Sequence, residues 1–181
     1  DGVEQIVNID RMVPPTGKFF GALGGVAVIA NSTWAAFQGK LDLDIEWDYG
    51  TNHSFDTNTF KATLTKRLQE KGKLVPGSSG NVTAGFNSAA KTIAATYHVP
   101  FLVHAPMEVP NATAWFKGDK IKVWAPLQDP QTARAELAHF FEIPLENITI
   151  YVTFLGGGFG RKSKSDFVVE AVAVSKQIKA P

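Results

Sequence analysis

Leu155-Gly156-Gly157-Gly158-Phe159-Gly160-Arg161-Lys162 is the stretch on which the reading of this chain turns. Before it, Ile148 to Phe154 alternates apolar and polar residues, as a strand does. After it, from Ser165 onward, Phe167, Val168, Ala171, Val172 and Val174 give a helix with apolar residues to bury. Glycine alone turns freely into positive φ and lets a ligand touch the main chain. Free N–H groups in such a turn point at an anion or an oxo ligand, helped by the N-terminus of the helix that follows. The plainer alternative is a tight strand-to-helix connection without a ligand. Two familiar phosphate motifs miss by one position. A P-loop needs glycine directly before its lysine, where Arg161 stands, and a dinucleotide fingerprint begun at Gly156 needs glycine at 161.

Working outward, Asp129-Pro130 predicts a helix start, an N-cap followed by proline at the first helical position. Ala133, Leu137, Phe140 and Phe141 mark its apolar face, and Pro144 is expected to end it. Thr113–Phe116 and Lys120–Trp124 flank Gly118-Asp119, a tight hairpin. Thr92–Val99 reads as a strand, and Pro76-Gly77-Ser78-Ser79-Gly80 as a flexible boundary. Earlier still, Thr59–Lys71 reads as an exposed helix stopped by Gly72, after a polar loop from Thr51 to Asn58. At the N-terminal side, Val3–Ile9 and Val26–Ala30 read as strands separated by a break at Pro14, Pro15 and Gly17. Asn31-Ser32-Thr33 opens a helix over Trp34–Leu43, and Asp44–Trp47 alternates again as a strand. The expected class is α+β, with a small N-terminal lobe over 1–75 and a larger lobe of mixed sheet and helix over 76–181.

Composition narrows the function. Of 181 residues, 44% are hydrophobic and 19% charged, as in ordinary globular domains. Lys plus Arg is 18 against 17 for Asp plus Glu, so no strong field points to nucleic acid or to an anionic membrane. There is no cysteine, so any iron–sulfur cluster is expected on another chain or another part of the protein. No apolar run reaches membrane-helix length, and Asp1 to Asp10 lacks the pattern of a signal peptide. The histidines do not cluster: His98 and His104 share strand parity but lack metal-ligand spacing and a third partner.

The Gly-rich turn does not stand alone. Tyr97-His98-Val99-Pro100, His104-Ala105-Pro106-Met107-Glu108, Asn111-Ala112-Thr113-Ala114 and Trp124-Ala125-Pro126-Leu127-Gln128-Asp129-Pro130 precede it in order. Together these resemble successive motifs of the molybdenum hydroxylase large subunit, the xanthine dehydrogenase and aldehyde oxidase class. The wording is closest to the branch of isoquinoline 1-oxidoreductase beta subunits and related membrane-associated aldehyde dehydrogenases. The resemblance is close over residues 85 to 170 and looser over Val26–Trp47, which is similar to the end of the family's hammerhead domain. One departure is visible: the family has proline directly after its Met-Glu pair, and here Val109 intervenes before Pro110.

The resemblance implies an oxidoreductase subunit that hydroxylates aldehydes or N-heteroaromatics with oxygen drawn from water and passes electrons to iron–sulfur centres. It implies a molybdopterin cofactor in cytosine dinucleotide form. Residues 1–75 would then close a hammerhead-like domain and 76–181 would open the molybdopterin-binding domain. Residue by residue, Gln128 matches a glutamine whose amide donates to an oxygen ligand of molybdenum. Phe159 and Gly160 match positions whose backbone lies beside the metal centre, and Gly157 and Gly158 allow close approach of the pterin; Arg161 stands where the xanthine dehydrogenase branch often has glycine, and is expected to meet an anionic cofactor group. Glu108 is expected to be a hydrogen-bonded structural carboxylate, and Lys162 a solvated charge. The family's basic glutamate is expected downstream, so no catalytic residue and no direct metal ligand is assigned here. The chain is therefore expected to be a fragment, inactive and without cofactor when alone. Its partners would be an iron–sulfur subunit or domain, the remainder of its own subunit and a small-molecule substrate, with self-association through exposed apolar surface. Two other classes remain at this level: a noncatalytic anion- or nucleotide-binding module using the Gly-rich loop, and a structural domain of a larger assembly. Neither compartment, cytoplasm or periplasm, is favoured.

Overall fold

The computed structural model describes residues 1–12, 21–73, 76–77 and 79–181. The expected break at Pro14, Pro15 and Gly17, and Ser78 of the expected flexible stretch, lie outside them. The chain is α+β and divides into two compact units, Asp1–Ile45 with Val103–Pro181, and Glu46–Leu102. This partition runs differently from a division at 75/76, which falls inside the second unit.

In the first unit, β1 (Val3–Ile9) pairs antiparallel with β2 (Gly25–Ala30), and α1 (Thr33–Leu41) follows. Ser32 caps α1 by accepting from the Ala35 amide at 3.2 Å. A separate sheet carries the core. β3 (Thr113–Lys117) and β4 (Lys120–Ala125) form the expected hairpin, with Gly118 at φ +61° in its turn. β5 (Ile148–Val152) joins β4 in parallel, giving the order β3-β4-β5. Parallel neighbours need a crossover, and α4 (Pro130–Phe141) supplies it.

Alternation decides which face is buried. Ile121, Val123 and Ala125 of β4, with Ala114 and Ile148, meet Ala133, Leu137 and Phe141 of α4. α5 (Asp166–Ile178) adds Phe167, Val168, Val169, Val172 and Ala173 to the same core. Polar groups that enter it are paired. The Ser165 hydroxyl, just before α5, donates to the buried Glu136 carboxylate of α4. Ser175 Oγ accepts from the Phe116 amide and donates to the Ala180 carbonyl. The Arg134 guanidinium ties α4 to the carbonyls of Leu145 and Ile148 at the entrance to β5.

Several element boundaries differ from expectation, for local reasons. α4 begins as expected, Asp129 accepting from the Thr132 amide, but it stops before Pro144, because Glu142 turns left-handed at φ 55°. No strand forms at Asp44–Trp47 or Thr92–Val99. Alternation alone does not make a strand without a ladder partner.

The second unit holds α2 (Thr57–Arg67) and α3 (Val82–Ser88). α2 starts two residues earlier than expected because Asp56 accepts from the amides of Asn58 and Thr59. α3 was not anticipated; Asn81 caps it through the Ala84 amide. Phe55, Phe60 and Phe101 gather with ring centroids 5.4 to 6.2 Å apart.

Leu137 is fully buried between sheet and helices. Leu137→Ala is expected to lower stability by about 2–5 kcal/mol, read from the denaturant midpoint; a loss below about 1 kcal/mol would place Leu137 outside the core.

Candidate functional site

The site begins with strand direction. Because β4 and β5 run parallel and adjacent, the segments leaving them, Pro126–Asp129 and 153–165, emerge at the same end of the sheet. In open sheets with parallel strands, that end is where ligand crevices form. The Thr153 amide, donating to the Ala125 carbonyl at 3.2 Å, carries the pairing one step past β5.

Gln128 and the Gly-rich turn meet there. Gln128 Oε1 accepts from the Gly160 amide at 3.1 Å. The Gln128 amide in turn donates to the Lys162 carbonyl at 3.1 Å. Gly158 leaves room for the Gln128 carboxamide: a Cβ there would lie 2.5 Å from Gln128 Oε1. The turn itself uses positive φ at Gly157 (+94°), Phe159 (+53°) and Gly160 (+89°). A left-handed phenylalanine is strained, so its surroundings have to hold it. Two short bonds brace the exit, Arg161 N–H to the Gly158 carbonyl at 2.9 Å and Ser163 Oγ to the Gly160 carbonyl at 2.6 Å.

The entry to the turn is fixed by Glu108. Its Oε2 accepts from the Gly156 amide at 2.9 Å and from Lys162 Nζ at 2.6 Å. Its own amide donates back to the Gly156 carbonyl at 3.2 Å. The hydrogen bond from Lys162, and then that from the Gly156 amide, hold the Glu108 carboxyl below the usual carboxylate range. Glu108 is thus a hydrogen-bonded carboxylate, as expected. Lys162 is not the solvated charge expected from sequence: its side chain is 0% exposed. Nothing local announces this, because its counter-ion lies 54 residues away.

Arg161 points elsewhere. Its guanidinium grips Asp166 with two bonds of 2.8 Å in the first turn of α5, and this pairing raises its pKa. Glu170, one turn on, is half-buried, and its pKa is raised by burial and then by the Asp166 charge. The Phe159 ring is 73% exposed, so it does not plug the core. Among the described residues, the amides of Gly157, Gly158 and Phe159 and the Gln128 side-chain nitrogen donate to no partner. The arrangement is a shelf of unpaired neutral N–H groups, exposed at Gln128 and Phe159, half-buried at Gly157 and buried at Gly158. A cavity of about 660 Å³ lined by Val28, Phe37, Lys40 and Ile178 contains none of these residues.

This fold has known counterparts. Residues 66–181 match the molybdopterin cofactor-binding domain family, and the chain belongs to it. The aldehyde oxidoreductase molybdenum-binding subunit PaoC of Escherichia coli K12 is 36% identical over 104 residues, covering 56% of this chain and 14% of the relative. A nicotinate dehydrogenase subunit of Pseudomonas putida is 24% identical over 156 residues, covering 86% of this chain and 13% of the relative. Quinoline 2-oxidoreductase from Pseudomonas putida 86 superposes with a TM-score of 0.64 at 18% identity, covering 99% of this chain and 26% of that one. The chain therefore spans about a seventh of the curated relatives' length.

Two outcomes follow from the geometry. Gly158→Ala is expected to cost under about 1 kcal/mol, because the obstructing atom ends a flexible side chain, yet to swing the Gln128 carboxamide off Gly160; an unmoved carboxamide in the variant's crystal structure would refute this. Because the folded-state pKa of Glu108 is depressed, its bonding is complete above the ordinary carboxylate value and is lost as pH falls through the lower one. The Gly156 amide shift, followed by NMR, should therefore titrate with a midpoint below that of an ordinary glutamate; a midpoint at or above the ordinary value contradicts the clamp.

Proposed function

We propose that the shelf formed by Gln128 and 156–160 holds the molybdenum end of a molybdopterin, in an oxidoreductase subunit that hydroxylates aldehydes or N-heteroaromatics. The observation that carries this is the orientation of the Gln128 carboxamide. Its oxygen is taken by the Gly160 amide, so its nitrogen is the end left outward as a neutral donor. The group to be held presents oxygen acceptors, and unpaired neutral N–H donors suit it. The amides of Gly157, Gly158 and Phe159 add donors that need no side-chain ordering, and Gly160 keeps its neighbourhood open, with nothing within 4 Å of a notional Cβ. Arg161 contributes at one remove, through Asp166 and the start of α5.

When bound, the cofactor supplies a two-electron oxidation of the substrate carbon with water as the oxygen source. The residues of this chain bind and orient; none of them is assigned a proton transfer. The finer parts of the proposal rest on the motif resemblance: a cytosine dinucleotide form of the cofactor, electrons leaving to an iron–sulfur subunit or domain, and a catalytic glutamate outside these residues. The same reading makes 1–75 the end of a hammerhead-like domain and 76–181 the opening of the cofactor domain. It also makes residues 1–181 alone inactive and unloaded, and prone to associate through apolar surface such as the exposed Met107 and Phe154. Aldehyde-dependent dye reduction by the isolated 181-residue chain would contradict that part.

The decisive experiment is Gln128→Ala in the cofactor-loaded enzyme. Molybdenum occupancy or kcat is expected to fall about 10–100-fold with the circular dichroism unchanged. Full occupancy with the parent kcat would remove Gln128 from the site.

A further inference from the structure

We propose that Lys162 and Glu108 are positioning residues for this shelf, an internal clamp that fixes the Gly-rich turn and the Gln128 backbone in one arrangement before any cofactor arrives. What is positioned rests on the cofactor reading above; the clamp itself rests on distances alone.

The chain places two adjacent cations in opposite roles. Arg161 turns toward α5 and pairs with Asp166, while Lys162 turns inward and loses all contact with solvent. Removing an ammonium from water is costly, and an apolar side chain of similar volume fills a buried site as well or better where stability is all that matters. The position of Nζ explains why lysine stands here. It lies 2.6 Å from Glu108 Oε2, the same oxygen that accepts the Gly156 amide at 2.9 Å. One carboxylate oxygen thus joins the inward lysine to the first residue of the turn.

Lys162 also acts through its other end. Its carbonyl accepts the Gln128 amide at 3.1 Å, and the Gln128 side chain closes on Gly160. The turn is therefore held at its start by Glu108, at its end by Gln128, and Lys162 connects the two holders. There is no slack at the first contact: a Cβ on Gly156 would lie 2.6 Å from the Glu108 Cβ. Such a closed circuit of bonds is what keeps Phe159 in its left-handed conformation and its neighbours' amides unpaired. A methionine at 162 would fill the space but leave the Glu108 carboxylate held by the Gly156 amide without its lysine, and the turn less firmly fixed.

The test uses the cofactor-loaded enzyme with Lys162→Met, Glu108→Gln and the double variant. Three readouts are followed: amide hydrogen exchange over 156–160, the Mo(V) electron paramagnetic resonance signal, and kcat against KM. Each single variant is expected to speed exchange over 156–160, to split or shift the Mo(V) signal and to lower kcat by about 10–100-fold with little change in KM. The double variant separates positioning from stability. With no unpaired buried charge it should recover the melting temperature lost in Glu108→Gln, yet keep the altered signal and the low kcat. Recovery of signal and kcat along with the melting temperature would show a merely structural pair and overturn the proposal, as would parent-like exchange in Lys162→Met. If Gln128→Ala is silent while Lys162→Met still alters both exchange and signal, the assignment of Gln128 fails and the clamp stands.

Discussion

The parallel pairing of β4 with β5 is the constraint from which the rest of the site follows. Two parallel neighbours cannot be joined by a hairpin, so α4 must cross back over the sheet before β5 can start. That crossover buries Leu137 and Phe141 against β4, and it sends both strands out at the same end. Residues separated by about thirty positions, Gln128 and Gly160, are thereby brought within one hydrogen bond. An antiparallel β5 would place the Gly-rich turn at the opposite end of the sheet, and no change of side chains would restore the contact.

On that frame, charge is used inside the loops rather than across the surface. The chain as a whole is close to neutral, and its site presents neutral donors. The charged groups nearest the turn are spent on holding it: Lys162 and Glu108 at the entry, Arg161 and Asp166 at the first turn of α5. This division has a physical logic. Backbone amides fixed in direction are effective donors only if they do not reorient, and ion pairs that are hydrogen-bonded at both ends resist reorientation better than packing of small glycines can.

The two compact units differ in kind. The first has a continuous core around Ile121, Val123 and Leu137. In the second, none of the described residues of Glu46–Leu102 is buried, and Ile93, Tyr97, Val99 and Phe101 are all exposed. A segment with its aromatics outward lacks the burial that offsets chain entropy. The curated relatives are several times longer than this chain.

Sequence by itself determined what neighbours along the chain can encode. The Gly118-Asp119 turn, the Asp129-Pro130 helix start and the apolar stripe of α5 each depend on residues a few positions apart, and each was legible. The ordered motifs also disclosed the family. Tertiary structure alone decided the matters that need a distant partner. It denied a ladder to Asp44–Trp47 and Thr92–Val99, whose alternation is real but unpaired. It turned Lys162 inward, because Glu108 waits 54 residues upstream, and it chose which end of the Gln128 carboxamide faces out, because only the Gly160 amide tells oxygen from nitrogen. Local propensity is a property of short windows; burial and hydrogen-bond direction belong to contacts that exist only once the chain has closed on itself.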